Sequence, residues 1–380
     1  MAFLYESQNS LLSYINSTFL IQNFNLTVDQ VGYLFSGGSL VSLLLLYLAP
    51  RYIHEYGKQK VLATIALLTA LCVFLVSGIP FPYAAFMFIL FLGGNQIIWY
   101  ITDLKIEDET STKNTGKIRG ILFTLLNGAW LIFPALAFRL LSSGTPISNF
   151  YIWTGIALIC ISLLTYLQKE TIAPIHKPTP TSLSVEHILL FFKNKERKML
   201  FYIHFFLKVF YAVMIIYTPI YLRDVIGIPW SQIDGIFFIM LLPFILIEYP
   251  IGYLEDKKIK EHVFLRIGFF ILFVSLIVFM MISTSNWIIW ALVLFMTRVG
   301  AAIIEVSTES AFFKIIHHKE IEFVSVFRSA TPLSYIITPV FVSILISTSG
   351  GHISYAYLIP IILSCVGFYL SHILSKNSTS

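Results

Sequence analysis

Residues 262–283 read HVFLRIGFFILFVSLIVFMMIS, an apolar run that begins at His262 and contains Arg266 as its one Asp, Glu, Lys or Arg residue. A helix of about 20 such residues crosses the hydrocarbon core of a bilayer, which is about 30 Å thick. This run therefore predicts a membrane-spanning helix, and eleven comparable runs can be placed along the chain. The predicted spans are 2–22, 31–50, 61–79, 84–104, 119–141, 151–168, 199–222, 230–252, 262–283, 287–312, 324–347 and 354–375.

The composition of the whole chain agrees with these spans. Of 380 residues, 57% are hydrophobic and 12% are charged, and the mean hydropathy is +0.82. Soluble domains contain about a quarter charged residues. The three cysteines, Cys72, Cys160 and Cys365, each lie inside an apolar run and indicate neither a disulfide framework nor a metal site. We predict an all-α integral membrane protein with no metal and no cofactor.

The distribution of basic residues predicts the orientation in the membrane. Most of the 25 Lys and Arg residues lie in the predicted loops on the side of the two termini, whereas the opposite side has only Arg139 and Arg223. Basic loops stay in the cytoplasm. We therefore expect a multi-pass protein of the plasma (inner) membrane with both termini cytoplasmic, and we expect no cleaved signal peptide.

The longest polar interruption divides the chain into two halves of six spans each. It covers residues 169–198, contains several prolines and ends in the basic run KNKERK at 193–198. We predict a bundle at 1–168, a cytoplasmic linker at 169–198 and a second bundle at 199–380. Within the linker, Val185–Phe192 is apolar enough to lie along the membrane surface.

The two halves share a loop pattern. The stretch GYLEDKKIK at 252–260 resembles the G-x-x-x-D-[RK]-x-G-[RK] signature of the major facilitator superfamily. The stretch PRYIHEYGK at 50–58 occupies the equivalent place and keeps Gly57 and Lys58. Arg119-Gly120, Pro134 and Pro339 also resemble positions of that family, whereas the family's antiporter signature is degenerate after Gly128.

The resemblance implies a fold and a mechanism. Members have twelve helices in two pseudo-symmetric six-helix bundles, with the first, fourth, seventh and tenth helices around a central cavity. It also implies secondary active transport by alternating access. The residues that would form a cytoplasmic gate are Gly252, Asp256, Lys257, Gly57, Lys58 and Arg119. Asp256 could sit against a helix N-terminus or Arg119, or it could belong to a solvated loop.

Ionisable residues inside the second-half spans are candidates for the transport pathway. His204, Lys208 and Tyr211 recur at helical spacing in the seventh span. Arg298, Glu305 and Glu309 do the same in the tenth, whose Arg298-Val299-Gly300 resembles the family's intramembrane arginine motif. If both faces line a cavity, Lys208 and Glu305 would lie at similar depth and could pair. A snorkelling lysine or a static brace remains the alternative.

Polar stripes in the first half suggest a solute recognised by hydrogen bonds. One stripe lies on the first span and another on the fourth, where Trp99 and Tyr100 could stack on a ring. Their members are Glu6, Asn9, Ser13 and Asn16, then Gln96, Tyr100 and Asp103. The asparagines could instead join helices by hydrogen bonds.

These features predict a secondary active transporter of a small organic solute, coupled to protons. The chain has no phosphate-binding GxxxxGK[ST] loop, which argues against transport driven by ATP. A transporter-like scaffold or sensor that moves no solute is the alternative. An enzyme using His317 and His318 is disfavoured because adjacent residues on a helix point in different directions. The expected partners are the solute, protons and the bilayer, without nucleic acid, and we expect a monomer.

Overall fold

The computed structural model describes residues 2–109, 115–168, 185–257, 260–315 and 321–377, and all regular elements there are helical. The chain forms two compact units, Met1–Ser182 and Leu183–Ser380. The helices described in the first unit are α1 (Ala2–Ser13), α2 (Asn16–Phe24), α3 (Val28–Tyr56), α4 (Lys58–Gly78), α5 (Tyr83–Glu109), α6 (Thr115–Ser142) and α7 (Ile147–Leu167). Those of the second unit are α8 (Val185–Lys193), α9 (Lys195–Ile216), α10 (Thr218–Ile220), α11 (Trp230–Leu246), α12 (Glu248–Lys257), α13 (Glu261–Met281), α14 (Trp287–Ile315), α15 (Ile321–Arg328), α16 (Ala330–Thr348) and α17 (Leu358–Asn377).

The predicted membrane character is confirmed. Ten helical segments in the described residues are long and apolar enough to cross a bilayer. The other two predicted spans, 2–22 and 119–141, coincide with the α1–α2 pair and with α6. The apolar part of α6 is Leu126–Ser142.

Three predicted spans are interrupted at a single residue each, namely Tyr217, Ile247 and Ser329. A proline follows each of them two or three positions later. Proline has no backbone N–H to donate to the carbonyl four residues earlier, so the regular ladder stops there. The prolines are Pro219, Pro250 and Pro332. After the first of these breaks, the chain continues as α10 and a π-helical turn, Tyr221–Val225.

The first predicted span is also divided, and no proline explains the division. Tyr14 and Ile15 separate α1 from α2, and the Ile15 N–H bonds to the Leu12 carbonyl three residues back. That bond tightens the last turn of α1. The expectation of one continuous helix over residues 2–22 is therefore wrong at this point.

Close helix packing in both units depends on glycines. A Cβ atom on Gly38 of α3 would lie 2.6 Å from the Leu92 side chain of α5. A Cβ on Gly300 of α14 would lie 2.7 Å from the Gly268 carbonyl oxygen of α13. Small residues let membrane helices approach closely and gain van der Waals contact. Gly38 lies in the second predicted span, where the lack of a side chain allows this approach of α3 to α5.

Aromatic side chains hold the short helix α8 against the rest of the second unit. Phe191 is fully buried, and its ring lies 6.0 Å from Phe201, 6.3 Å from Phe312 and 5.9 Å from Phe323. Val185, at the other end of α8, is exposed. This amphipathic distribution is consistent with an interfacial helix, and its contact with the membrane surface stays a prediction.

Candidate functional site

A charged cluster joins α9 and α14 in the second unit. Lys208 Nζ lies 2.8 Å from Glu305 Oε1, and the Tyr211 hydroxyl donates to Glu305 Oε2 at 2.7 Å. Lys208 and Tyr211 are three residues apart on α9, so both reach the same carboxylate on the facing helix. We call Lys208, Tyr211 and Glu305 the Glu305 cluster. The structure thus brings together the two residues that sequence spacing suggested could pair.

The Glu305 cluster is only partly shielded from its surroundings. The Lys208 side chain is 15% exposed and that of Glu305 is 27% exposed. Each oxygen of the carboxylate accepts one bond, from an ammonium on one side and from a phenol on the other. Protonation of Glu305 would remove its charge and leave the Lys208 ammonium without a counter-charge.

Arg298 lies two helical turns before Glu305 on α14 and has no such compensation. Its side chain is 1% exposed, and its guanidinium carbon lies 5.0 Å from the centre of the Phe210 ring. Among the side chains that the structure describes, none forms an ion pair with Arg298, and its Nη1 atom lacks a hydrogen-bond partner. Glu309, four residues beyond Glu305, is half-buried.

His204 lies one turn before Lys208 and is packed against aromatic residues. It is buried, and its ring stacks on Phe327 with 4.2 Å between centres. Phe327 in turn stacks on Phe312 at 3.8 Å. These contacts favour a packing role for His204 over membership of the Glu305 cluster.

The first unit contains a buried hydrogen-bonded chain that ends on Glu6. Gln8 Nε2 donates to Asn95 Oδ1 at 2.9 Å, and Asn95 Nδ2 donates to Asn9 Oδ1 at 2.8 Å. Asn9 Nδ2 then donates to Glu6 Oε2 at 3.4 Å, and Trp130 Nε1 donates to the same oxygen at 2.7 Å. We call Glu6, Gln8, Asn9, Asn95 and Trp130 the Glu6 cluster. Two of its members, Asn9 and Trp130, thus donate to one oxygen of the buried Glu6 carboxylate.

The other first-half candidates lie apart from the Glu6 cluster. Gln96 is exposed, and Tyr100 is half-buried. Trp99 stacks on Tyr5, with 5.5 Å between ring centres. One face of the Trp99 ring, which was predicted to stack on a solute, is thus covered by a side chain of the protein. Asn16 accepts a hydrogen bond of 2.8 Å from the Tyr151 hydroxyl, which joins α2 to α7.

Ser13 donates to the Asn9 carbonyl at 2.6 Å, within α1. The Asp103 side chain lies outside the described part of the protein.

Comparison with known protein families identifies the family of this chain. The sequence profile described as Major Facilitator Superfamily matches residues 1–320. This chain belongs to the Major Facilitator Superfamily. It is therefore a multi-pass membrane transporter and not an enzyme, and the family resemblance noted in the sequence is confirmed. No curated protein matches the sequence.

Two solved structures show how far the fold is shared. The nucleoside transporter NupG, crystallised as a point mutant, is 13% identical with a TM-score of 0.78, over 98% of this chain and 97% of that one. A bacterial homologue of the human lysosomal transporter Spinster, in an inward-facing and occupied conformation, is 13% identical with a TM-score of 0.73. That match covers 99% of this chain and 94% of the other. The likeness shows the superfamily fold over essentially the whole chain.

The gate positions of this superfamily member are only partly described. Gly57 has φ 86° and separates α3 from α4, a backbone conformation that favours glycine. Lys58 begins α4, and Gly252 lies within α12. The side chains of Arg119, Asp256 and Lys257 lie outside the described residues. Their predicted role in a gate stays a prediction.

A neighbour of Asp256 makes the contact that the structure does describe. Glu255 on α12 is buried and accepts a hydrogen bond from Ser307 on α14. Nearby, Lys314 of α14 pairs with Glu261 of α13 at 2.5 Å. These bonds hold the charged ends of α12, α13 and α14 together within the second unit. The loop motif drew attention to Asp256 and missed Glu255.

Sequence analysis also missed three members of the Glu6 cluster. Gln8, Asn95 and Trp130 are polar or amphipathic side chains inside predicted spans, and polar groups in such places need internal partners. A polar side chain inside a predicted span therefore pointed to each of these three residues. Helical periodicity favoured Gln96 over Asn95, however, and only the packing of α1 against α5 and α6 selects the latter. His317 and His318, the residues of the disfavoured enzyme hypothesis, lie outside the described residues.

Proposed function

We propose that this superfamily member is a secondary active transporter that moves a small organic solute in exchange with or together with protons. The two units would provide alternating access, as repeat-based transporters do when one half rocks against the other. The protein would reside in the plasma (inner) membrane with both termini in the cytoplasm, since most basic residues lie in loops on that side.

The observation that carries the proposal is the Glu305 cluster. An ion pair at membrane depth is costly unless it has a function or an excellent partner, and this one remains partly exposed. A proton on Glu305 would break the pair with Lys208 and free the Lys208 ammonium. A solute able to bond Lys208 or Tyr211 would compete for the same groups. Proton and solute binding would therefore be coupled through shared side chains.

Flux in sealed proteoliposomes tests the proposal. The protein would be reconstituted and offered a panel of labelled solutes, both with and without an imposed proton gradient. Nucleosides belong in the panel because NupG is described as a nucleoside transporter. We expect at least one solute to move faster when the gradient is imposed. If the folded protein moves none of the panel, the scaffold or sensor alternative gains support.

A substitution then tests the role of the carboxylate. Glu305→Gln keeps the shape and the hydrogen bond from Tyr211 but cannot lose or gain a proton. We expect it to abolish acceleration by the gradient and to flatten the dependence of exchange on pH. The matched control is Glu186→Gln on α8, where the carboxylate is exposed. Wild-type gradient dependence in Glu305→Gln would remove Glu305 from the coupling mechanism.

A further inference from the structure

The most anomalous group in the second unit is the guanidinium of Arg298. It is almost completely buried, and its Nη1 atom has no hydrogen-bond partner among the described residues. A buried charge is normally paired with an opposite charge or supplied with several hydrogen bonds. Its contact with the Phe210 ring is favourable, but a ring face provides neither a counter-charge nor acceptors for five N–H groups.

Neither of the ion pairs among the described residues includes Arg298. Glu305 lies on the same face of α14, yet its two oxygens are engaged by Lys208 and Tyr211. The Glu305 cluster is neutral overall because the ammonium and the carboxylate cancel. Within the described part of the protein, Arg298 is therefore a positive charge without an ion pair, beside a pair whose charges cancel.

We propose that Arg298 binds the carboxylate of the transported solute, so that the substrates of this protein are small organic monoanions. The inference rests on the proposed transport function and adds the chemical class of the solute. A planar guanidinium matches a carboxylate with two parallel hydrogen bonds, and one uncompensated charge matches one negative charge. The neighbouring Phe210 ring provides an apolar contact for the remainder of the solute.

Binding of paired acids and amides tests the class directly. The full-length protein, purified in detergent, would be titrated with benzoate, phenylacetate and nicotinate, and with benzamide, phenylacetamide and nicotinamide. Each amide keeps the size of its acid and removes the charge. We expect at least one acid to bind about tenfold or more tightly than its amide, since a site built for a polar group rejects the analogue that lacks it. No preference for any acid in the wild-type protein would overturn the inference.

Variants then assign the preference to this residue. Arg298→Gln should bind the preferred acid no better than its amide, and Arg298→Lys should retain part of the difference. The control Arg139→Gln removes an exposed arginine from α6 and should preserve the wild-type preference. If Arg298→Gln bound the acid as tightly as the wild type does, the assignment of the carboxylate site to Arg298 would be wrong. Because the acid–amide comparison also uses the wild type, it remains decisive if Arg298→Gln fails to fold.

Proteoliposome flux separates this inference from the proposed function. Gradient-driven flux of neutral solutes alone, with no acid transported, would leave the transport proposal standing and reject Arg298 as a carboxylate site. Flux of an acid that is lost in Arg298→Gln and kept in Arg139→Gln would support both. Absence of any flux, together with tight binding of an acid, would reject transport and retain an anion site.

Discussion

Glu305 accepts hydrogen bonds from two different donors. Because the donors differ, substitutions can distinguish a role of Glu305 in transport from a purely structural role. Lys208 supplies a charge and a hydrogen bond, whereas Tyr211 supplies a hydrogen bond alone. Removing one partner of such a pair leaves the other charge uncompensated, whereas removing both with apolar groups of similar shape can be nearly neutral. The single and double variants therefore report on different properties.

Lys208→Met should lower the free energy of unfolding by about 1–3 kcal/mol, because the Glu305 carboxylate loses its counter-charge. The double variant Lys208→Met, Glu305→Met should recover much of that loss. Thermal unfolding in detergent micelles measures both, with Lys195→Met at an exposed position as control. Proton-driven flux should be lost in the double variant although the fold is retained. Normal flux in the double variant would make the pair a structural brace.

The Glu6 cluster depends on one short bond from an indole. Trp130→Phe removes the 2.7 Å donor to Glu6 Oε2 and leaves that oxygen with the longer bond of 3.4 Å from Asn9 Nδ2. We expect a loss of about 1–3 kcal/mol in stability, the usual cost of leaving a buried polar group unsatisfied. The matched control is Trp153→Phe, at a partly exposed tryptophan. Equal unfolding temperatures for the two variants would contradict the role assigned to this bond.

At the scale of elements, α13 and α14 approach each other backbone to backbone at Gly268 and Gly300. A Cβ on Gly300 would lie 2.7 Å from the Gly268 carbonyl oxygen and 2.8 Å from the Leu272 nitrogen. Both are backbone atoms, so neither can move aside by changing a rotamer. α14 also carries Arg298 and Glu305, and any shift of this helix would displace both groups.

Gly300→Ala should therefore destabilise the protein by about 1–3 kcal/mol, the range found when packed cores are overfilled. The control is Gly128→Ala in α6, where a Cβ would meet nothing within 4 Å. That change should be neutral or stabilising, because alanine favours a helix over glycine by about 1 kcal/mol. Unfolding midpoints in micelles compare the two, and a smaller effect at Gly300 than at Gly128 would refute the packing argument.

At the scale of the whole molecule, the first helices of the two units share a pattern. The offset that aligns the loop beginning at Pro50 with the loop beginning at Gly252 also carries Glu6 onto Lys208. The same offset carries the break at Tyr14 onto the neighbourhood of Tyr217, where α9 ends. Corresponding positions thus hold an acidic and a basic residue, each on the helix that ends at an interruption more than two turns later. Discontinuous helices with polar groups beside the break are common at the binding sites of transporters built from repeats.

The predicted orientation can be tested on intact membranes. In a variant with Cys72, Cys160 and Cys365 replaced by alanine, single cysteines would be introduced at Ser143 and at Lys195. Both positions are exposed, one between α6 and α7 and the other at the start of α9. A membrane-impermeant maleimide added outside cells should label Ser143→Cys, whereas Lys195→Cys should react only after the membrane is opened. The reverse pattern would invert the topology inferred from the basic loops.

The sequence predicted the contacts of the Glu305 cluster better than those of the Glu6 cluster. Lys208 and Glu305 could be proposed as a pair because helical spacing and the family resemblance placed both on inward faces at similar depth. The same reasoning selected Gln96, which is exposed, and overlooked Asn95, one residue earlier. A helix advances by about 100° per residue, so an error of one residue changes the face.

By itself, the sequence determined that the chain lies in a membrane, where its spans fall and which family it belongs to, because these properties depend on the length of apolar runs and on the loop motif. Tertiary structure decided which polar groups meet. It bound Glu6 to Trp130 from a distant helix, left the Nη1 atom of the buried Arg298 without a hydrogen-bond partner among the described residues, and engaged both oxygens of Glu305. The physical reason is that a hydrogen bond tolerates a few tenths of an ångström, whereas a hydrophobic pattern specifies only a face of a helix.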